Sequence, residues 1–214
     1  MIFLPDYQVI AAFTLASFVL VVTPGPDMAL FLGKTLTQGR KAGLVAMFGA
    51  ASGIVVHTIL AAFGLSALLA SSAAAFGVLK IVGALYLLWL AYDAIAHGSS
   101  LSLEASDQGH ESIRHVFAKG LGINLLNPKI ILFFVTFLPQ FVSSTDPNAA
   151  SKLLFLGLYF ICLAVPLCAL MITMADRLTM LLRRKPRITR ILDWMFASVF
   201  AAFAARLLLE PSRN

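Results

Sequence analysis

The chain has 214 residues, of which 60% are hydrophobic and only 12% are charged. Soluble domains carry about 25% charged residues, so this composition excludes an ordinary soluble protein and predicts an all-α polytopic membrane protein. The net charge of +6 does not indicate nucleic acid binding, because most Lys and Arg residues fall between the apolar segments.

Six apolar segments follow one another along the chain, each long enough to cross a bilayer as a helix of about 20 residues. The N-terminal residues lack the basic region of a signal peptide, so the first span is expected to be retained. Pro166 is expected to interrupt the fifth span. The six predicted spans are residues 7–36, 42–70, 75–96, 117–142, 152–175 and 188–209.

Two proline motifs break these spans: TPGPD (23–27) in the first and NPK (127–129) in the fourth. Proline removes a backbone donor and disfavours helix for the residue before it. Pro26 is predicted to open a new half-helix, and Asn127 and Pro128 to act as N-cap and first helical residue of another. Gly25 would let a ligand approach the backbone closely.

The matched breaks predict an inverted repeat within a single transporter domain, 1–214. Each half would hold three spans, over about 1–96 and 117–210, with broken first and fourth helices. A cytoplasmic loop over about 97–116 would join the halves. Because three is odd, the second half must be inverted relative to the first, as in transporters that bind solutes at discontinuous helices.

Asp27 and Lys129, two residues of opposite charge, stand beside these breaks. A charge at membrane depth costs a few kcal/mol unless it is paired or hydrated. One interpretation is a structural ion pair that locks the two broken spans together. The other is a substrate or proton site. The cavity would offer a carboxylate, an ammonium and two helix N-termini, which complement a zwitterion.

The basic residues predict the orientation of the chain. Eleven of the 16 Lys and Arg residues lie in the first, third and fifth loops. The positive-inside rule then makes those loops cytoplasmic and places both termini outside, in a bacterial-type inner membrane. These eleven residues are Lys34, Arg40, Lys41, Arg114, Lys119, Arg177, Arg183, Arg184, Lys185, Arg187 and Arg190.

Further polar residues within the spans are weaker site candidates. His57 could line the pathway or bond a neighbouring helix. Tyr86 could belong to an aromatic face along a cavity or to an interfacial belt, and Gln140 could line the exit. The spacing Gly49-x-x-x-Gly53 favours close packing inside the bundle over dimerisation.

Other chemistries find little support in the sequence. No catalytic constellation or Walker motif is present, so neither an enzyme nor ATP-driven transport is predicted. His97, His110 and His115 follow no zinc spacing, so neither a metal site nor a cofactor is predicted. Cys162 and Cys168 are separated by five residues and are expected to be small buried apolar residues.

Four pieces of the chain resemble the LysE/RhtB family of amino-acid exporters: TPGPD with its following apolar run, QGRKAGLVAMFGAASGIVVH, LKIVGALYLLWLAYDA and FAKGLGINLLNPKIILFFVTFLPQF. The resemblance covers all six spans and is most specific in the first and fourth pieces. It implies ion-driven export of amino acids or their derivatives from the cytoplasm. The implied site centres on Pro24, Gly25, Pro26, Asp27, Asn124, Asn127, Pro128 and Lys129, with Thr23 beside them.

The sequence therefore predicts a secondary exporter of small zwitterions that works by alternating access. A carrier of metal ions or other small ions, and a membrane interaction protein without transport activity, remain alternatives. The expected partners are an amino acid and the lipid bilayer, not nucleic acid. Assembly into a homo-oligomer stays open.

Overall fold

The computed structural model describes residues 5–67, 73–98, 111–142 and 146–209. Within these ranges the chain folds into helices and contains no strand. The all-α fold class is thereby confirmed. The described residues form nine helices: α1 (Tyr7–Val22), α2 (Pro26–Gln38), α3 (Arg40–Leu60), α4 (Ala73–Ala96), α5 (Ile113–Leu126), α6 (Pro128–Leu132), α7 (Ala149–Thr173), α8 (Ala175–Arg184) and α9 (Pro186–Leu209).

Three helical stretches are long and apolar enough to cross a membrane: Arg40–Leu65, Ala149–Thr173 and Arg187–Ala205. The number rises to five if each of two bent helix pairs counts as one span. The described apolar stretch of α4, Ile81–Ala96, is shorter than a span. The chain is thus a multi-span membrane protein, whereas the arrangement of six spans in two repeats stays a prediction.

Both predicted breaks are present. The pair α1 and α2 is bent by 50°, and the pair formed by α5 and Pro128–Phe141 is bent by 51°. The second partner is irregular, because α6 continues into a π-helical turn over Phe133–Phe137 and a 3-10 turn over Leu138–Phe141. A second π-helical turn, Ala61–Leu65, extends α3.

Two expectations about the second half were wrong. Pro166 does not interrupt the fifth span, since α7 runs through it as one helix. The residues after α7 do not form a simple loop, because α8 intervenes before the basic turn that leads into α9. Leu178 and Leu182 of α8 pack with Met28 and Leu32 of α2, so α8 supports the second half of the first span.

Small residues bring α3 and α5 into close contact. A Cβ atom at Gly49 would clash with the backbone of Phe117, and one at Gly120 would clash with the backbone of Ala46. Side chains of normal size would force these helices apart. The prediction that the glycines of α3 serve packing inside the bundle is therefore confirmed.

Aromatic residues form the centre of the largest apolar core. Phe137 is completely buried, and its ring centroid lies 5.0 Å from those of Phe133 and Phe141. It lies 4.5 Å from that of Phe203. We call this group the phenylalanine cluster, which comprises Phe13, Phe133, Phe134, Phe137, Phe141, Phe160, Phe200 and Phe203.

Candidate functional site

The first break separates α1 from α2 at Thr23–Gly25. Thr23 has extended backbone, and its hydroxyl donates to the carbonyl of Val19 at 2.7 Å. Gly25 is the N-cap of α2 and provides no side-chain cap, while Pro26 is the first helical residue. The predicted start of a half-helix at Pro26 is confirmed, and Asp27 lies in its first turn.

Asn127 caps the helix after the second break. Its Oδ1 accepts a hydrogen bond from the backbone N–H of Lys129 at 3.0 Å, and Pro128 follows as the first helical residue. The predicted N-cap and first position are thus confirmed. Asn127 also ends α5, because its own N–H donates to the carbonyl of Asn124 at 3.1 Å.

Asp27 connects the two breaks through the side-chain amides of two asparagines. Its Oδ2 accepts hydrogen bonds from Asn124 Nδ2 at 2.8 Å and from Asn127 Nδ2 at 3.1 Å. Both asparagines are buried. Two buried acceptors, Asp27 Oδ1 and Asn124 Oδ1, have no hydrogen-bond donor in the described part of the chain. Such atoms are costly, and a proton or a cationic donor would relieve the cost.

The side chain of Lys129 extends from the second break to the first, opposite to that of Asp27. Its Nζ donates to the backbone carbonyl of Thr23 at 2.8 Å and lies 5.4 Å from the centroid of the Phe196 ring. A Cβ atom at Gly25 would stand 3.7 Å from the same nitrogen, which is an ordinary contact distance, so an alanine there would fit beside Lys129. An ammonium has three donors, so two remain beyond the bond to Thr23.

Asp27 and Lys129 do not form a salt bridge. Among the described residues, the salt bridges include no pair between them. Each charge is held instead by neutral polar groups of the opposite break. The two charges make no direct contact but still act on each other, so the interpretation as an ion pair that locks the two spans stays a prediction.

A cavity lies against both breaks. Its empty volume, including the part open to solvent, is about 710 Å³. Its polar lining comes mainly from Thr23, Asp27, Asn124, Asn127 and Lys129. The remaining wall is predominantly apolar.

The structure brings some predicted site residues to this cavity and leaves others away from it. Thr23, Gly25, Asp27, Asn124, Asn127 and Lys129 line the cavity. Pro24, Pro26 and Pro128 do not line it, and the latter two begin α2 and α6. His57, Tyr86 and Gln140 are also absent from its lining.

His57 lies behind the polar lining. Its Nε2 is 3.4 Å from the backbone carbonyl of Asn124, and its ring stacks on Phe134 with a centroid distance of 5.8 Å. Two roles were predicted for His57, lining the pathway and bonding a neighbouring helix, and these contacts support the second. His57 therefore contacts the site through Asn124, and its charge also acts on Asp27.

Tyr86 and Gln140 make contacts elsewhere. The Tyr86 ring lies 5.1 Å from Trp89, whose side chain is half-exposed on α4. Gln140 Nε2 donates to the carbonyl of Thr136 at 2.9 Å, one turn earlier in the same segment. These contacts give neither residue a role at the cavity.

Sequence reasoning missed part of the cavity wall. Met28, Met47 and Met171 line it, as does Cys168, one of two free cysteines; the other, Cys162, is exposed rather than buried as expected. Local sequence gives no signal for three methionines that come from three different helices.

Asp193 was also missed. It is buried on α9, one turn before Phe196, and its charge acts on Lys129. A carboxylate near the start of the sixth predicted span was the signal that could have found it.

A second group of charges ties the end of α2 to the residues before α5. Lys34 Nζ donates to Glu111 Oε1 at 2.6 Å, and Lys119 lies 3.5 Å from the same oxygen. Lys34 was predicted as a loop charge, but it is a buried helical residue. The hydrogen bond from Lys34, with the charges of Lys34 and Lys119, holds the pKa of Glu111 below its usual value.

The histidines near that loop have separate partners. His97 Nδ1 lies 2.8 Å from Asp93, and His115 Nε2 lies 3.7 Å from Glu111. His110 lies outside the described residues, as do Glu104 and Asp107. Within the described ranges, no group of three or more His, Cys, Asp and Glu residues is positioned to hold a metal ion.

The broken spans, their buried polar residues and the cavity between them point to a translocator, and comparison with known proteins decides which kind. The model of the LysE type translocator family matches residues 18–211. The chain belongs to this family. The match includes both breaks and every residue of the polar lining.

Several relatives of this LysE-type chain carry names that describe efflux. The chain is 28% identical to a leucine efflux protein of Enterobacter sp. over 91% of its length and 92% of the relative's. It is also 28% identical to a homoserine/homoserine lactone efflux protein of Salmonella typhimurium, over 95% and 96% of the two chains. An uncharacterized membrane protein of Bacillus subtilis, YrhP, is 34% identical over 68% of this chain and 73% of its own. No solved structure matches the chain significantly.

Proposed function

We propose that this LysE-type chain exports amino acids or related small zwitterions from the cytoplasm. The observation that carries the proposal is the arrangement of Asp27 and Lys129. They line one cavity with opposite charges, yet each makes its hydrogen bonds to neutral groups and not to the other. The relatives named for efflux of leucine and of homoserine support an exporter role.

In the proposed binding mode, Asp27 and Lys129 each bind one charged group of the solute. The solute's carboxylate accepts from Lys129, which keeps donors beyond its bond to Thr23. The solute's ammonium is attracted by the carboxylate of Asp27. A cation and an anion held at separate points select a zwitterion over an ion of one sign, which would leave one buried charge unpaired.

We further propose that Asp27 couples export to a proton gradient. Its Oδ1 is buried without a donor, and its Oδ2 already accepts two hydrogen bonds. A proton on Oδ1 would remove an unpaired buried charge when the solute leaves. Solute and proton would then compete for one carboxylate, which is the basis of exchange.

Alternating access is proposed to occur at the two breaks. They are bent by nearly equal angles of 50° and 51°, as expected if the halves 1–96 and 117–210 are inverted repeats. The lining residues Phe31, Met47 and Met171 lie toward the basic-loop ends of their helices, whereas the phenylalanine cluster, of which Phe160 also lines the cavity, lies mainly beyond the breaks. The cavity would therefore face the cytoplasm, and the cluster would close the outer side.

We propose that the chain lies in a bacterial inner membrane with both termini outside. This orientation rests on the basic first, third and fifth loops and the positive-inside rule. Attaching a reporter enzyme active only in the cytoplasm to either terminus tests it. A cytoplasmic signal from either fusion would contradict the orientation.

The decisive experiment is efflux from proteoliposomes preloaded with labelled leucine or homoserine, with and without an imposed pH gradient. We expect the gradient to accelerate efflux by the wild type. Asp27→Asn should lose the acceleration, because its amide cannot exchange a proton. Asp176→Asn, which neutralises an exposed carboxylate on α8, is the matched control and should behave as the wild type.

Two outcomes would contradict parts of this proposal. Gradient-driven efflux that persists in Asp27→Asn would remove Asp27 from the coupling step. Absence of efflux for every amino acid from correctly folded protein would overturn the assignment of the substrate.

A further inference from the structure

We propose that the cavity selects amino acids with an uncharged, apolar side chain, and that Met28, Met47 and Met171 receive it. We call these three residues the methionine wall. The inference rests on the proposed function, because it concerns the side-chain end of a solute whose head group would lie at Asp27 and Lys129.

The methionine wall is assembled from three elements of the fold. Met28 comes from α2, Met47 from α3 and Met171 from α7, and all three line the cavity. Met28 and Met47 are 6% and 3% exposed, so they are packed members of the wall. Methionine is flexible and polarizable, which lets such a wall fit branched, linear or sulfur-containing apolar groups.

The distribution of charge around the cavity also favours a solute with an uncharged side chain. Among the described residues that line the cavity, only Asp27 and Lys129 are charged, and both stand at the breaks. If they hold the solute's head group, no charged group remains for its side chain. An ammonium or carboxylate pressed against the methionine wall would lose water without gaining a partner.

Small residues of α3 leave space beside the methionine wall. Ala50 and Ala51 line the cavity next to Met47. Ala51 is one turn beyond Met47, so the two side chains share a helix face. A larger side chain at position 51 should therefore fill the space that an apolar substituent occupies.

The first test measures binding of glycine, leucine, lysine and glutamate to the purified wild-type protein by titration calorimetry. We expect leucine to bind most tightly, and lysine and glutamate to bind about tenfold more weakly or worse. Equal affinity for leucine, lysine and glutamate would overturn the inference but leave the exporter proposal standing. Binding of none of the four would overturn both.

The second test fills the space beside the methionine wall with a larger side chain. Ala51→Phe should weaken leucine binding about tenfold or more while glycine binding changes little, because glycine has no side chain to displace. Val56→Phe adds similar bulk to an exposed position on another face of the same helix and should change neither. Equal weakening of leucine and glycine by Ala51→Phe would overturn the inference.

Met47→Ala keeps the test valid if Ala51→Phe does not fold. It removes a wall side chain without adding bulk, so contacts with leucine are lost and contacts with glycine are not. We expect the ratio of leucine to glycine affinity to fall severalfold. An unchanged ratio in a folded Met47→Ala protein would show that the methionine wall does not hold the side chain.

Discussion

Asp27 and Asn124, which lie 97 residues apart in the sequence, are joined by a hydrogen bond of 2.8 Å. This bond connects the first turn of α2 to the last turn of α5, so it links the two breaks directly. Asn127 adds a second bond to the same carboxylate oxygen at 3.1 Å. The carboxylate therefore depends on two neutral donors for its position.

Asn124→Ala should impair transport strongly, because it removes one of these donors. A hydrogen bond to a charged group contributes about 1.5–3 kcal/mol, so we expect transport to slow by about tenfold or more. Efflux from proteoliposomes measures the effect. Asn148→Ala is the control, since Asn148 precedes α7 away from the cavity; equal loss in both variants would contradict a specific role for Asn124.

Gly53 keeps Asn124 in place. A Cβ atom at Gly53 would lie 2.5 Å from Asn124 Oδ1 and 3.0 Å from its Cβ. Gly53→Ala should therefore displace the asparagine and cost about 1–3 kcal/mol in unfolding free energy, with reduced transport. Gly33→Ala on α2 meets nothing within 4 Å and should be neutral or slightly stabilising. Thermal unfolding in detergent distinguishes the two variants.

Local chemistry made the breaks predictable. Pro26, Asn127 and Pro128 act through backbone rules that depend on neighbouring residues alone. The partners of Asp27 were not predictable, because Asn124 reaches it only after the helices pack. Lys129 was expected to face Asp27 or the solute, yet it donates a hydrogen bond to the backbone carbonyl of Thr23. Any residue at position 23 has such a carbonyl, so the residue type gave no signal for this contact.

Helix α8 was missed for a related reason. Its apolar residues continue those of α7, and only Met174, whose backbone is not helical, separates the two helices. No Pro or Gly marks the boundary. Its apolar face becomes recognisable once Leu182 is seen to pack with Leu32 of α2.

Glu111→Gln should destabilise the protein at neutral pH and have little effect in acid. The pKa of Glu111 is lowered in the folded state, first by the hydrogen bond from Lys34. Its stabilisation is therefore present above the ordinary glutamate pKa of about 4.3 and lost as the pH falls through the lower folded-state value. We expect a loss of about 1–3 kcal/mol at neutral pH.

Denaturation of the wild type and Glu111→Gln over a series of pH values measures this difference. Lys34→Gln and the double variant complete a mutant cycle that isolates the pair. A stability difference that stays constant as the pH falls would show that the ionised form of Glu111 is not what stabilises the fold.

Phe137→Ala should be among the most destabilising single substitutions in the chain. Its side chain is fully buried among four aromatic rings of the phenylalanine cluster. Truncation of a buried phenylalanine costs about 3–5 kcal/mol. Phe63→Ala is the control, because Phe63 is 64% exposed. Comparable losses of thermal stability in the two variants would contradict a packed core at this place.

The charge swap Asp27→Lys with Lys129→Asp should not restore function. If the two residues formed an ion pair, reversing both charges would preserve it. Instead, a lysine at position 27 would meet the Nδ2 donors of Asn124 and Asn127, and an aspartate at position 129 would face the carbonyl of Thr23. Both replacements bring groups of like polarity together, so we expect the double variant to be less stable than either single variant.

Yield, monodispersity in detergent and efflux of the double variant test this expectation against both single variants. A conservative pair, Asp27→Glu with Lys129→Arg, is the control that retains both charges. Restored stability and transport in the swapped chain would show that attraction between the two charges, and not their neutral partners, organises the breaks. Loss of both properties in the swap, with partial function in the conservative pair, would support separate sites for the two charges.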